Sequence, residues 1–379
     1  MRKSKSLKQI HMKIKKILGS FVIVLLLASC TANEELDFLE ESSDGRMNEC
    51  LLDCEIDDGG PGGGTLPEFS NYFYVHKGQT NSNIYFANSN DGTNWTTSQL
   101  GLGAKSSKGP TSVLFDNKRF IFYKGNSSSN IFFAYKTQLS NTWYGNTFIN
   151  NVSKTSRSIS SVVFDNKIFI AYKGETNGNL YFAYSSAGTV GNYTEVVALP
   201  SGNGVVEYFT IATNGNKMYL FWSSRYYDPT IGNYRELIYY RSTTNPTNSN
   251  SWSSTTLLED SLGTLTFESG ISATSLNGDL YIALGDVNIN LNGTPIRYLS
   301  IGKLTSNDVW SKTTTPYTFA DRAGIMGTDN SKLLVSYKGH YAGDIKTMKV
   351  NLDGTIDTTP YNSGGATNIG GVFSHSKFN

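Results

Sequence analysis

Cysteine is scarce in this chain: the 379 residues hold three, Cys30, Cys50 and Cys54, and none follows. Everything beyond residue 54 must therefore hold together by packing, without a disulfide framework. Long apolar runs are lacking too. The longest, Ile17 to Ala28, is shorter than the roughly 20 residues that span a bilayer, which excludes a multi-span membrane protein. Charge is sparse at 17% and nearly balanced, with a net of +1 and a mean hydropathy of -0.30. Such a field does not demand nucleic acid, and that class is set aside. Histidine is rare, with four residues and no His-Glu-x-x-His spacing. Neither a Gly-x-Ser-x-Gly elbow nor a P-loop occurs. What the chain does hold is 23 Tyr, 20 Phe and 37 Gly, with many Asn, Ser and Thr. Aromatics supply a core, and the turn formers favour short strands over helices.

The charge is unevenly spread. Residues 1–29 carry seven Arg/Lys and no acid, residues 30–66 carry eleven acids against Arg46, and the remainder is near +4. A basic segment, an apolar run and small residues make a secretion leader over 1–29, with Met12 an alternative start. Leu27-Ala28-Ser29-Cys30 resembles a bacterial lipobox, which implies acylation of Cys30 and a lipid-anchored protein of the bacterial outer membrane. A plain signal peptide is the alternative. Residues 30–66 read as an acidic, Gly-rich disordered stalk, and Glu34 and Glu35 resemble the surface-export signal of Bacteroidetes lipoproteins. Cys50 and Cys54, four apart, favour a small local disulfide in an exported chain, since two thiols do not complete a zinc site.

The domain from 67 to 379 is a repeat. SVLFDNKRFIFYKGNSSSNIFFAY begins at Ser112 and SVVFDNKIFIAYKGETNGNLYFAY at Ser161, with more divergent copies elsewhere. A marker column falls at His76, Tyr123, Tyr172, Trp222, Leu284 and Tyr337, at spacings of 47, 49, 50, 62 and 53. A period near 50 with four short strands per unit predicts an all-β, six-bladed β-propeller. Seven or five blades are the alternatives. In the third unit the pattern predicts strands over 159–164, 167–173, 179–186 and 193–198. The first unit lacks an innermost strand, and Asn368 to His375 is expected to supply it and close the ring.

Ser89-Asn90-Asp91-Gly92-Thr93-Asn94-Trp95 resembles a shortened Asp-box, the turn of sialidase-like propellers, and the whole repeat also looks like the blades of secreted propeller lectins. In that family Ser89, Asp91, Gly92 and Trp95 would be structural, on the face opposite the active site. Weaker echoes end at Trp143, Trp252 and Trp310.

Ligands belong on the other face, where strand b meets strand c and strand d meets the next strand a. Lys77, Lys124, Lys173 and Lys338 ring that face. Lys108, Arg157, Glu207, Ser269 and Arg322 align at the start of strand a. Blades four and five have the longest b–c connections, carrying Arg225, Tyr226, Asp228 and Arg235 in one and Arg297 in the other. The candidate binding set is thus Trp222, Arg225, Tyr226, Asp228, Arg235, Arg297, Arg157, Arg322, Lys124 and Lys173, which could clamp a sugar or an anion. Trp222 as an inter-blade core residue and the lysines as stems covering neighbouring blades are the structural alternatives. Glu207, Glu268 and Asp321 are the candidate catalytic acids, with Tyr226 as a sialidase-like nucleophile. An Arg-Ile-Pro-like motif is absent from the first blade. No cofactor or metal site is expected, structural calcium staying open. The expected role is non-catalytic binding of glycans or glycoproteins at the cell envelope. A sialidase-like glycoside hydrolase and a scaffold for envelope protein partners are the alternatives.

Overall fold

The computed structural model describes residues 70–366 apart from Leu139, 190–191, 200–204, 231–232, 262–269, 290–294, 329–331, 340–343 and 358–359. Its strands form six antiparallel sheets. Blade one is β1 (Tyr72–Lys77), β2 (Ile84–Ser89) and β3 (Thr96–Gln99). Blade two is β4 (Thr111–Phe115), β5 (Lys118–Lys124), β6 (Ile131–Thr137) and β7 (Tyr144–Phe148). Blade three follows with β8 (Ser160–Phe164), β9 (Lys167–Lys173), β10 (Leu180–Ser185) and β11 (Thr194–Leu199). Blade four comprises β12 (Val205–Asn214), β13 (Lys217–Asp228), β14 (Asn233–Thr243) and β15 (Thr256–Ser261). Blades five and six share one strand. β16 (Ser272–Leu276), β17 (Asp279–Ile289) and β18 (Pro295–Leu304) pair with the first half of β19 (Trp310–Gly327). Its second half pairs with β20 (Leu333–Gly339), followed by β21 (Asp344–Val350) and β22 (Tyr361–Ala366).

The order around the ring comes from the inner strands, since β1, β4, β8, β12, β16 and β19 each touch the next, and β22 lies against β2 and β3. The chain is therefore an all-β, six-bladed β-propeller. The 62-residue interval that left room for a seventh blade is filled by a long hairpin: β13 and β14 run to 12 and 11 residues, against seven each for β5 and β6. The expected closing strand, 368–375, lies outside the described residues, as do the leader, the stalk and all three cysteines.

Aromatics hold the blades together face to face. In β9 the five residues Ile168 to Tyr172 are all buried, so both faces of the strand pack against neighbouring sheets. One cluster joins Phe122, Phe133, Ile168, Ile170 and Tyr172 across blades two and three. Another joins Phe169, Phe182, Phe209, Leu220 and Trp222 across blades three and four. Truncating one such ring to Ala costs about 3–5 kcal/mol.

Two turn chemistries fix the hairpins on the far side. The a–b turns use Asp116 and Asn117 (φ 49° and 52°) and Asp165 and Asn166 (47° and 51°), the left-handed pair that matches strand twist. In the c–d turn of blade one, Asp91 Oδ1 accepts the N–H groups of Thr93 (2.7 Å) and Asn94 (2.8 Å). Ser89 Oγ accepts from Gly92 N–H at 2.9 Å, Gly92 takes φ 73°, and Trp95 Nε1 donates to Gly92 O at 3.2 Å. Those N–H groups hold the Asp91 carboxyl well below the usual carboxylate range, that of Asn94 first.

Candidate functional site

The b–c and d–a connections meet on one face and are laced together by the backbone. Asn83 bridges Lys105 and Ser106 bridges Gly125; one blade on, Asn130 bridges Lys154 and Thr155 bridges Gly174. Each d–a connection is thus strung between the b–c turns of two adjacent blades. Within it a hydroxyl fixes the local turn: Ser106 Oγ accepts Lys108 N–H at 3.2 Å, and Thr155 Oγ1 accepts Arg157 N–H at 3.1 Å. Lys105-Ser106-Ser107-Lys108 and Lys154-Thr155-Ser156-Arg157 are therefore one structural module used twice, with Lys105 and Lys154 exposed and Lys108 and Arg157 half-buried.

The repeated lysine is built into this lacing. Lys124 Nζ donates to Ser107 Oγ (3.0 Å), Ser128 O (3.0 Å) and Gly125 O (3.2 Å). Lys173 Nζ reaches across to Val206 O of blade four at 2.8 Å. Burial lowers the proton affinity of Lys124, the Lys108 charge lowers it further, and Glu175 acts in the opposite sense. Burial also depresses Lys77. Lys173 thus ties blade three to blade four, and Lys124 is held by oxygens of the Ser107 connection and of its own b–c turn.

Trp222 is fully buried between blades three and four, where it stacks on Tyr239 at 5.6 Å. Its ring meets no solvent, so this residue packs the core of the ring. The other binding candidates have known backbone positions. Arg225, Tyr226 and Asp228 lie on β13, opposite Glu236, Arg235 and Asn233 of β14. The expected irregular loop is a two-stranded ribbon rising from the blade. Arg297 lies on β18, opposite Val287. Of the acids, Glu207 falls at an irregularity of β12 between Val206 and Tyr208, and Asp321 falls, with Arg322, at one of β19 between Phe319 and Ala323. Bulges in inner strands are where a sheet re-aims a residue next to a site. Glu268 lies outside the described residues.

Sequence reasoning gave His76 as a repeat marker and passed over Glu195 and a column of inner-strand hydroxyls. His76, at the end of β1, is buried between Tyr74 (5.8 Å) and Tyr85 (5.5 Å), with Nδ1 3.2 Å from Lys77 O. Burial drives its pKa down to about 4, so it is neutral at pH 7. Glu195 accepts from Tyr172 OH and from Ser153 Oγ (3.3 Å), and burial pushes its carboxyl up. Thr111, Ser160, Thr210 and Ser272 form a buried hydroxyl column on the inner strands, with Ser160 Oγ 3.3 Å from Thr210 Oγ1. The alignment at the start of strand a gives Lys108 and Arg157 as one column; carried further into the strand it yields the hydroxyl column, and carried back it yields Lys105 and Lys154.

No family model matches the chain, and no curated protein matches it. Among solved structures, the α-L-arabinofuranosidase Arb93A from Fusarium graminearum, held with an iminosugar inhibitor, is similar at a TM-score of 0.56 and 13% identity. That likeness covers 76% of this chain and 97% of Arb93A. YjhT is similar at a TM-score of 0.51 and 12% identity, over 77% of this chain and 95% of YjhT. At these identities the likeness is one of fold: this is a six-bladed propeller similar in architecture to that of Arb93A. Two expectations change with it. A non-catalytic glycan-binding module, and with it the preference against an enzyme, gives way, because the architecture is one on which a glycosidase such as Arb93A is built. On the same comparison the membrane-lipoprotein reading is replaced by a six-bladed propeller similar in fold to Arb93A, and the lipidation expected at Cys30 falls outside the described residues. Among the described residues, no helix is long and apolar enough to cross a membrane.

Proposed function

We propose that the chain is a glycoside hydrolase acting on extracellular or periplasmic glycans at its b–c/d–a face. The reading is carried by one observation: the six-bladed fold, similar over most of its length to the arabinofuranosidase Arb93A, has two carboxylate residues, Glu207 and Asp321, at irregularities of inner strands on the lacing side of the ring. Hydrolysis of a glycosidic bond needs such a pair. One carboxylic acid gives its proton to the leaving oxygen, while the other carboxylate attacks the anomeric carbon or takes a proton from the attacking water. Glu207, Asp321 and Glu268 are the residues assigned to these roles, with Arg157, Arg225, Arg297 and Arg322 orienting the sugar. The narrower sialidase-like reading leans on the Asp91 turn, a feature of the opposite face, and lacks an Arg-Ile-Pro-like motif in blade one; the broader class is therefore the one proposed.

The test is turnover by the full chain on a panel of aryl glycosides and polysaccharides, including arabinofuranosides and sialosides. Glu207→Gln, Glu268→Gln and Asp321→Asn are assayed beside the wild type. Loss of one acid–base partner should lower kcat by about 10²–10⁴-fold. Turnover that survives all three substitutions would remove these residues from the mechanism, and no turnover on any substrate would remove the hydrolase reading.

A further inference from the structure

The two faces of blades one to three differ in charge far more than the chain's net of +1 suggests. On the a–b side, the turn acids of blades two and three are matched by their own lysines, Lys118 with Asp116 at 3.1 Å and Lys167 with Asp165 at 3.0 Å, while Asp91 of blade one is held by backbone N–H groups. On the b–c/d–a side the connections carry Lys77, Lys105, Lys108, Lys124, Lys154, Arg157 and Lys173 against one acid, Glu175. The bias is built by repetition. Lys105 and Lys108 flank the junction of blades one and two, and Lys154 and Arg157 occupy the same places at the junction of blades two and three, 49 residues on. Ser106 and Thr155 each hold their turn by the same hydroxyl bond. Lys124 adds a third cation, seated on Ser107 of the first module by neutral oxygens.

A row of like charges held along one rim repels its own sign and draws in the opposite one. We infer that this rim is a cradle for an acidic glycan, a chain bearing carboxylate or sulfate groups along its length. Consecutive anionic sugars would meet consecutive basic modules as the chain crosses from blade one toward blade three. The inference rests on the glycan-directed reading above and supplies its substrate class: the cradle holds the polymer while the carboxylates of later blades act on it.

The experiment measures binding of the full chain to polygalacturonate, chondroitin sulfate, neutral arabinan and a mixed-sequence single-stranded DNA, over a salt series. The wild type is compared with Lys105→Gln/Lys154→Gln, two exposed positions whose loss leaves the lacing bonds in place. A quadruple variant adding Lys108→Gln and Arg157→Gln is also measured. An acidic glycan should bind about tenfold or more tightly than arabinan at low salt, weaken as salt rises, and lose several-fold affinity in the double variant. Preference for polygalacturonate assigns carboxylate, and preference for chondroitin sulfate assigns sulfate. Equal affinity for arabinan, DNA binding as tight as either acidic glycan, or unchanged affinity in the double variant overturns the cradle. Tight binding without hydrolysis would overturn the enzyme reading alone, and hydrolysis of neutral chains with no acidic preference would overturn the cradle alone.

Discussion

His76 fills in blade one the column that Tyr123, Tyr172 and Tyr337 fill in blades two, three and six. An imidazole there is packed as an aromatic, between Tyr74 and Tyr85, and is held neutral by burial. Its pKa falls from 6.5 to about 4 on folding, so between these values the unfolded chain binds the proton and the folded chain does not. The stability it contributes is complete above about pH 6.5 and is lost as pH falls toward 4. His76→Phe, which keeps a ring and removes the titration, should flatten Tm against pH across that window relative to wild type. Parallel profiles for the two proteins would contradict this. Asp91 works in the same sense by another route: its carboxylate accepts two N–H groups, so Asp91→Ala should cost about 1 kcal/mol in chemical denaturation at neutral pH. The cost should shrink in strong acid, where protonation has already weakened those bonds.

At the scale of strands and turns, local chemistry was read well. Asp-Asn between Phe and Lys forms a two-residue turn in which both residues adopt positive φ, in blade two and again in blade three. Asn166→Ala should therefore cost about 1–2 kcal/mol through the left-handed conformation alone, measured by urea unfolding. Gly302 was not singled out, yet a Cβ there would fall 1.9 Å from the Trp310 ring. Gly302→Ala should destabilise blade five by about 1–3 kcal/mol, seen as a lower urea midpoint, and an unchanged midpoint would mean that the ring moves aside freely. Less legible were the long connections of blades four and five. Arg225, Tyr226 and Asp228 carry polar side chains beside a Pro, so they read as loop. Cross-strand pairing that continues outward from the blade makes a ribbon of them, and a single sequence does not display such pairing. Trp222 shows the converse. Its aromatic column marked it as core, its position beside a long connection marked it as a ligand platform, and packing between two blades decided for the core.

At the scale of the whole molecule, the repeat made the ring legible: period, strand order and inner edges followed from self-similarity, and six blades resulted. The proposed site was less legible because it belongs to no single repeat: Glu207 and Asp321 stand on strands of different blades, 114 residues apart, so pairing these two carboxylates is not written in any one unit. The basic modules, by contrast, were written twice in plain sequence and emerged as a unit once backbone bridges tied them to neighbouring turns. The b–c/d–a face thus carries the cationic modules, and the Asp91 turn lies on the other. The central claim is that glycosidic bonds are hydrolysed at the b–c/d–a face. It is tested most directly by incubating the full chain with a mixed glycan pool in heavy-oxygen water and weighing the products by mass spectrometry. The account predicts shorter chains whose new reducing ends carry the heavy oxygen, and their disappearance with Glu207→Gln or Asp321→Asn. A glycan pool returned with its masses unchanged would contradict it.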